Sequence, residues 1–277
     1  CFEFAEFVFL RKIESENMKN IAISIFASLA FAIASSAFAS DAEGLRIATE
    51  VDRRDQGFGD TTSTMTMKLF DQYGNTTSRS IRNKTLERSG EGDMSLVIFD
   101  TPKDVKGTAF LSHTKKVGSD DQWLYLPALK RVKRIASSNQ AGPFMGSEFA
   151  YEDISSQELE KYNYKFIRSE KYDGMDCYVV SYVPLEKKSG YSEQITWIDK
   201  KAYRVHKIEY FDRKKSLLKT LTFNNYEKYA GKFWRADKYT MVNHQTGKKT
   251  ILEFSDWKFG NGLTVVDFSK KALKKIR

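Results

Sequence analysis

Between Thr61 and Trp257 apolar and polar positions alternate with a period of two, the pattern of strands with one face buried. Met65, Met67 and Leu69 alternate with Thr64, Thr66 and Lys68, and the turn Asp71-Gln72-Tyr73-Gly74-Asn75 leads into the polar run Thr76 to Glu87. Together they predict a hairpin with one wet face. Met94 to Phe99 and Thr108 to Ser112 continue the meander, and Gly118-Ser119-Asp120-Asp121 turns it into an aromatic strand at Trp123. Further strands are predicted at Tyr162 to Lys171, Asp176 to Val183, Glu193 to Ile198, Arg204 to Phe211, Leu217 to Tyr226, Phe233 to Val242 and Thr250 to Trp257. Tight turns at Asp173-Gly174, Ser189-Gly190, Ala230-Gly231 and Thr246-Gly247 separate several of them. Short strands on short connections predict one large antiparallel sheet, coiled or nearly closed.

A helical period occurs only near the ends. Ser40-Asp41-Ala42-Glu43 reads as a capping box, with Leu45, Ala48 and Val51 at helical spacing before Gly57 and Gly59 stop the run. At the other end Phe268 to Arg277 predicts a short basic helix with Leu273 and Ile276 on one side. Upstream, the chain starts with Cys1, and a leader pattern begins only at Met18: Lys19 in a short n-region, Ile21 to Ile33 apolar, then Ala37-Phe38-Ala39. The expectation is a non-native upstream translation at residues 1–17, a signal peptide at 18–39 cut between Ala39 and Ser40, and a single β domain at 40–277. Such a product is exported, most simply to a bacterial periplasm, without a membrane span. The remaining cysteine, Cys177, sits in a strand-like run and reads as a small buried hydrophobe.

Composition adds a partner class. The formal net charge is +9 over 277 residues, which in an exported protein favours membrane surfaces, lipid head groups or acidic proteins over nucleic acid. With four prolines and no Gly/Ser-rich stretch, no linker is visible.

Catalytic chemistry is not signalled. His113, His206 and His244 are scattered, no Gly-x-Ser-x-Gly elbow occurs, and no His/Cys clustering suits a metal. Glu152-Asp153 and Glu158-Glu160 could supply carboxylate pairs, but carboxylates are too abundant to be informative. The expectation is a binding protein, not an enzyme, with no cofactor and no metal.

The densest signal is Trp123-Leu124-Tyr125-Leu126-Pro127-Ala128-Leu129-Lys130-Arg131-Val132-Lys133-Arg134-Ile135, followed by Phe144-Met145-Gly146-Ser147-Glu148-Phe149-Ala150-Tyr151-Glu152-Asp153. This segment, with the Asp71-Gln72-Tyr73-Gly74 turn and Trp197-Ile198-Asp199, resembles the LolA-like outer membrane lipoprotein-sorting proteins, as a divergent branch of the LolA/LolB superfamily. The resemblance implies a mainly β fold with flanking helices: an unclosed antiparallel β-barrel, or half-barrel, wrapped around helices and a loop. It also implies an apolar interior that holds an acyl chain, lipid or lipoprotein for transfer toward the outer membrane. An inner-membrane transporter of the resistance-nodulation-division type is the partner it suggests. On this reading Trp123, Tyr125, Phe144, Met145, Phe149 and Tyr151 line or gate a cavity, and Lys130, Arg131, Lys133 and Arg134 meet an anionic head group or a partner, in a protein expected to be monomeric. The alternative is a periplasmic sensor of lipid or lipoprotein that regulates a membrane signalling protein.

Overall fold

The computed structural model describes residues 39–276; the predicted leader, but for its last residue Ala39, lies outside them. Thirteen strands form one sheet: β1 (Asp60–Phe70), β2 (Thr76–Leu86), β3 (Met94–Thr101), β4 (Ala109–His113), β5 (Asp121–Leu126), β6 (Arg131–Ile135), β7 (Tyr162–Tyr172), β8 (Met175–Pro184), β9 (Tyr191–Asp199), β10 (Val205–Asp212), β11 (Leu217–Tyr229), β12 (Phe233–Asn243) and β13 (Lys249–Phe259). Every neighbouring pair is antiparallel. The order is β6-β5-β4-β3-β2-β1-β13-β12-β11-β10-β9-β8-β7, so β1 and β13 meet in the middle and β6 and β7 are free edges. The sheet curls without closing. Helix α1 spans residues 39–55, and a short α2 (Lys270–Leu273) follows the last strand.

Period-two alternation gives the sheet two buried faces. On the concave side Met65, Met67, Ile81, Val97, Phe99 and Phe110 pack with Tyr210, Leu221, Met241 and Leu252 around Phe144 and Phe149 of the long connection between β6 and β7. Alongside them, Ile47 and Ala48 of α1 pack on Tyr164, Val180, Tyr182 and Ile198. Helix and sheet approach closely at Gly44, where an added Cβ would lie 2.7 Å from the Lys165 and Phe166 backbone.

On the convex side Met94, Leu96, Ile98, Ala109 and Leu111 are covered by Phe268 and Leu273 of the C-terminal segment. Asp60 steers the chain there: its carboxylate accepts from the Asn261, Gly262 and Leu263 amides at 2.7–3.3 Å. Burial opposes its ionisation, but these donors and the Asn261 side chain hold the carboxyl below its ordinary range. His113 Nε2 then donates to the Phe268 carbonyl at 2.7 Å and fastens the segment to β4. Cys177 packs on the convex side with Val179 and Trp197.

The capping-box reading at Ser40 is corrected. Residues 39 and 40 are already helical, and Ser40 Oγ donates to the Phe166 carbonyl at 2.6 Å instead of capping its own helix. Glu43 pairs with Arg46 at 2.7 Å. A tertiary acceptor took the hydroxyl that local sequence assigned to the helix end.

Candidate functional site

The open side of the half-barrel encloses a cavity of about 1550 Å³, larger than the roughly 300–1000 Å³ of ordinary small-molecule sites. Ala48, Val51 and Asp52 of α1 form one wall, and Phe223, Tyr226, Trp234, Ala236, Tyr239 and Trp257 form the aromatic floor. The rim is polar and charged, from residues 87–91 after β2 and residues 156–160 before β7.

The floor depends on breaks in strand periodicity. Lining positions step by three on β11, from Phe223 to Tyr226, and on β12, from Tyr239 to Ala236. On β13 Phe254 faces the concave core and Trp257 the cavity, again three residues apart. Asn225 (φ 56°) and Asp256 (φ 55°) occupy the breaks on β11 and β13. At the second, the β1–β13 register shifts between Thr62 and Thr64, a bulge that redirects the following side chain. The aromatic floor is stiffened by cations: the Arg204 guanidinium lies 4.7 Å from the Trp234 ring and 5.2 Å from that of Tyr226, and its Nε donates to the Asp199 carboxylate at 2.8 Å.

Carboxylates crowd one side of the mouth. The Asp93 amide donates to Glu158 Oε1 at 3.4 Å, while the Asp93 carboxylate accepts from the Arg88 amide at 3.1 Å and Ser156 Oγ at 3.4 Å. Burial pushes Asp93 up to about 6 and, with the Asp93 charge beside it, Glu158 up to about 7. Burial also raises Asp52 on the facing helix.

A family model described as an uncharacterized protein matches residues 91–275. The crystal structure of an outer membrane lipoprotein-sorting protein domain from Vibrio parahaemolyticus is 54% identical, covering 84% of this chain and 99% of that one, with a TM-score of 0.83. The chain belongs to the LolA-like outer membrane lipoprotein-sorting family. A DUF1329 family protein from Desulfovibrio piger is 30% identical over 84% of this chain and 99% of its own, with a TM-score of 0.80. A LolA superfamily protein from Nitrosomonas europaea shares the fold at 20% identity, over 83% and 98% of the two chains, with a TM-score of 0.67. No curated protein matches significantly.

In this LolA-like chain none of the six aromatic and methionine positions expected to line the cavity does so. Trp123 and Tyr125 face the convex side under the C-terminal segment, with His113 at 5.0 Å and the Lys270 ammonium at 5.3 Å from the Trp123 ring. Phe144, Met145, Phe149 and Tyr151 are on the concave side, packed into the core beyond the cavity. Phe144 is fully buried, 5.2 Å from the Phe110 ring and 5.4 Å from that of Tyr151.

Their loop is pinned at several points. Pro143 bridges to Ala150, and Asp153 accepts from the Ala150 amide at 2.7 Å and from the Tyr191 hydroxyl at 2.9 Å. Lys219 Nζ donates to Asp153 at 2.7 Å and to the Glu148 carbonyl at 2.9 Å. Arg79 donates to the Met145 carbonyl at 2.6 Å, and burial lowers its pKa.

The four cations lie on the edge strand and its turn, away from the cavity lining. Lys130, at φ 50°, Arg131 and Lys133 are exposed, and Arg134 pairs with Asp121 at 2.5 Å. The histidines stay apart: His206 is 3.0 Å from Asp199, His113 holds Phe268, and His244 lies 2.8 Å from the Thr220 hydroxyl. Among the described residues no helix is long and apolar enough to cross a membrane. The lining aromatics were visible in sequence as a concentration of large rings in β11–β13, but their shared face was not.

Proposed function

We propose that this protein is a periplasmic carrier that holds an acyl chain, as a lipid or a lipoprotein, in the cavity between α1 and β10–β13 for transfer toward the outer membrane. The observation that carries the reading is the cavity of about 1550 Å³ floored by Phe223, Tyr226, Trp234, Tyr239 and Trp257. Transfer of a chain from water to such a surface is favourable by about 0.8 kcal/mol per buried methylene, so a shuttle needs no chemical step. The LolA-like family membership supports it, and the leader pattern at residues 18–39 supports export.

In this reading the charged rim receives the polar end of the cargo. For a partner, the family resemblance suggests an inner-membrane transporter of the resistance-nodulation-division type. Lipid extraction and native mass spectrometry of protein purified from its own host test the carrier. Co-purifying amphiphile is expected, and Ala236→Trp, which fills the floor, should lose it while remaining folded. Protein that never carries amphiphile and takes up no fluorescent fatty acid would sink the proposal.

A further inference from the structure

The rim opposite the cavity mouth carries a second surface. The antiparallel register sets the turns β5–β6, β3–β4, β1–β2, β12–β13 and β10–β11 side by side along one end of the strands. Contacts join several of them: Gly107 lies against Pro127, Gly247 against Gln72, and Gln245 Nε2 donates to Asp212 at 2.9 Å. The cavity instead draws on the other ends of these strands, at residues 85–91, 228 and 232–236.

These five turns carry nine Lys and Arg against three acidic residues. Lys103 and Lys106 follow β3, and Lys130 and Arg131 precede or open β6; Arg213 to Lys215 and Lys248-Lys249 occupy the other two basic turns. Among the described residues none of the nine makes an ion pair, whereas cations elsewhere on the sheet commonly do, as Lys68 does with Glu253, Arg82 with Asp100 and Lys115 with Asp121. Two of the three carboxylates are spent inside their own turns: Asp71 accepts from the Tyr73 and Asn75 amides, and Asp212 from those of Lys214 and Ser216. Between the cations stand isolated apolar tips, Tyr73 at 81% exposure, Leu129 at 63% and Leu217 at 38%.

We infer that this rim docks on an anionic lipid bilayer surface, so that the carrier rests on a membrane with its cavity mouth on the far rim. Charge complementarity gives the attraction, and single apolar tips among cations suit insertion at the head-group boundary. The composition points to lipid over an acidic protein: seven of the nine cations are lysines, which protein interfaces disfavour, and the five turns hold no Trp and no contiguous apolar centre. The inference rests on the carrier reading for its purpose, but its test needs no cargo.

The purified protein is mixed with phosphatidylcholine vesicles containing or lacking phosphatidylglycerol, and binding is read by co-sedimentation. Binding only to the anionic vesicles, lost on raising salt from about 0.05 M to about 0.5 M, is expected. Each cation near the surface contributes about fivefold, so K130Q/R131Q should weaken binding roughly 25-fold and K103Q/K106Q similarly. Leu129→Ser should weaken it further, whereas K165Q/K171Q on the β7 edge should not. Equal binding to both vesicle types, no binding to either, equal loss in the rim and β7 variants, or capture of an acidic protein without vesicle binding would each overturn the inference. Failure here with amphiphile still in the cavity removes the docking surface and leaves the carrier; the reverse result removes the carrier alone.

Discussion

Replacing Lys219 by methionine tests what holds the inner loop in place. Lys219 is 3% exposed, and its ammonium touches Asp153 at 2.7 Å, the Glu148 carbonyl at 2.9 Å, and the Tyr191 and Tyr210 rings at 5.1 and 5.2 Å. Asp153, whose side chain is 5% exposed, keeps the Ala150 amide and Tyr191 hydroxyl in the variant but loses its counter-ion. Methionine preserves most of the stem volume, so the loss isolates charge from packing. Leaving one member of a buried pair uncompensated costs about 3–5 kcal/mol. In a chain of this size each kcal/mol lowers Tm by about 2–4 °C, giving a fall of roughly 6–20 °C. Lys219→Met/Asp153→Asn removes both charges and retains both hydrogen bonds to residue 153, and it should recover most of that loss. Urea unfolding followed by tryptophan fluorescence gives the energies, with an unchanged m-value as the check that the unfolded state is not altered. A single-variant cost below about 1 kcal/mol, the range of an exposed pair, would refute the reasoning, as would a double variant that loses the sum of both single losses.

The carboxylates at the cavity mouth make stability depend on pH. Asp93 at about 6 and Glu158 at about 7 lie above their unfolded values, so the folded protein binds these protons more tightly. Their contribution is complete below about pH 4 and is lost as pH rises through 6 to 7. The wild type should therefore lose about 1–3 kcal/mol between pH 5 and pH 8 relative to Glu158→Gln, after allowance for partial exposure and coupling; identical slopes in the two proteins would disprove the assignment. Phe144→Ala should cost about 3–5 kcal/mol in urea unfolding because its ring is fully buried among Phe99, Phe110 and Tyr151. A loss of amphiphile binding with little change in stability would instead place Phe144 in the ligand wall.

Strand existence and order were legible because burial on one face imposes a period of two over each element. The same rule correctly made Cys177 a core residue, and helical spacing put Leu273 on the inner side of the last helix, where it is 1% exposed. The rule could not say which of two faces is which. Both faces of β3–β5 are apolar, since the loop around Phe144 covers one and the C-terminal segment the other. Trp123 and Tyr125 therefore read as plausible ligand contacts until the fold placed them under Phe268.

The cavity floor was hidden for a different reason. Phe223 and Tyr226, like Phe254 and Trp257, are three apart, so strict alternation sends each pair to opposite faces; positive φ at Asn225 and Asp256 brings them to the same one. Asn and Asp are the non-glycine residues that adopt positive φ most readily, but they are too common along this chain to mark the break.

By itself the sequence determined a mainly β chain, its turns, its basic charge and its LolA-like kinship, because each is written in local periodicity or in contiguous residues. The tertiary structure decided where the cavity lies, that the Pro143 to Tyr151 loop is packed core, and that unpaired cations from four separate turns share one rim. Those depend on sheet curvature, on two local breaks in strand pattern and on which segment covers which face, and all three are set by contacts between residues far apart in the chain.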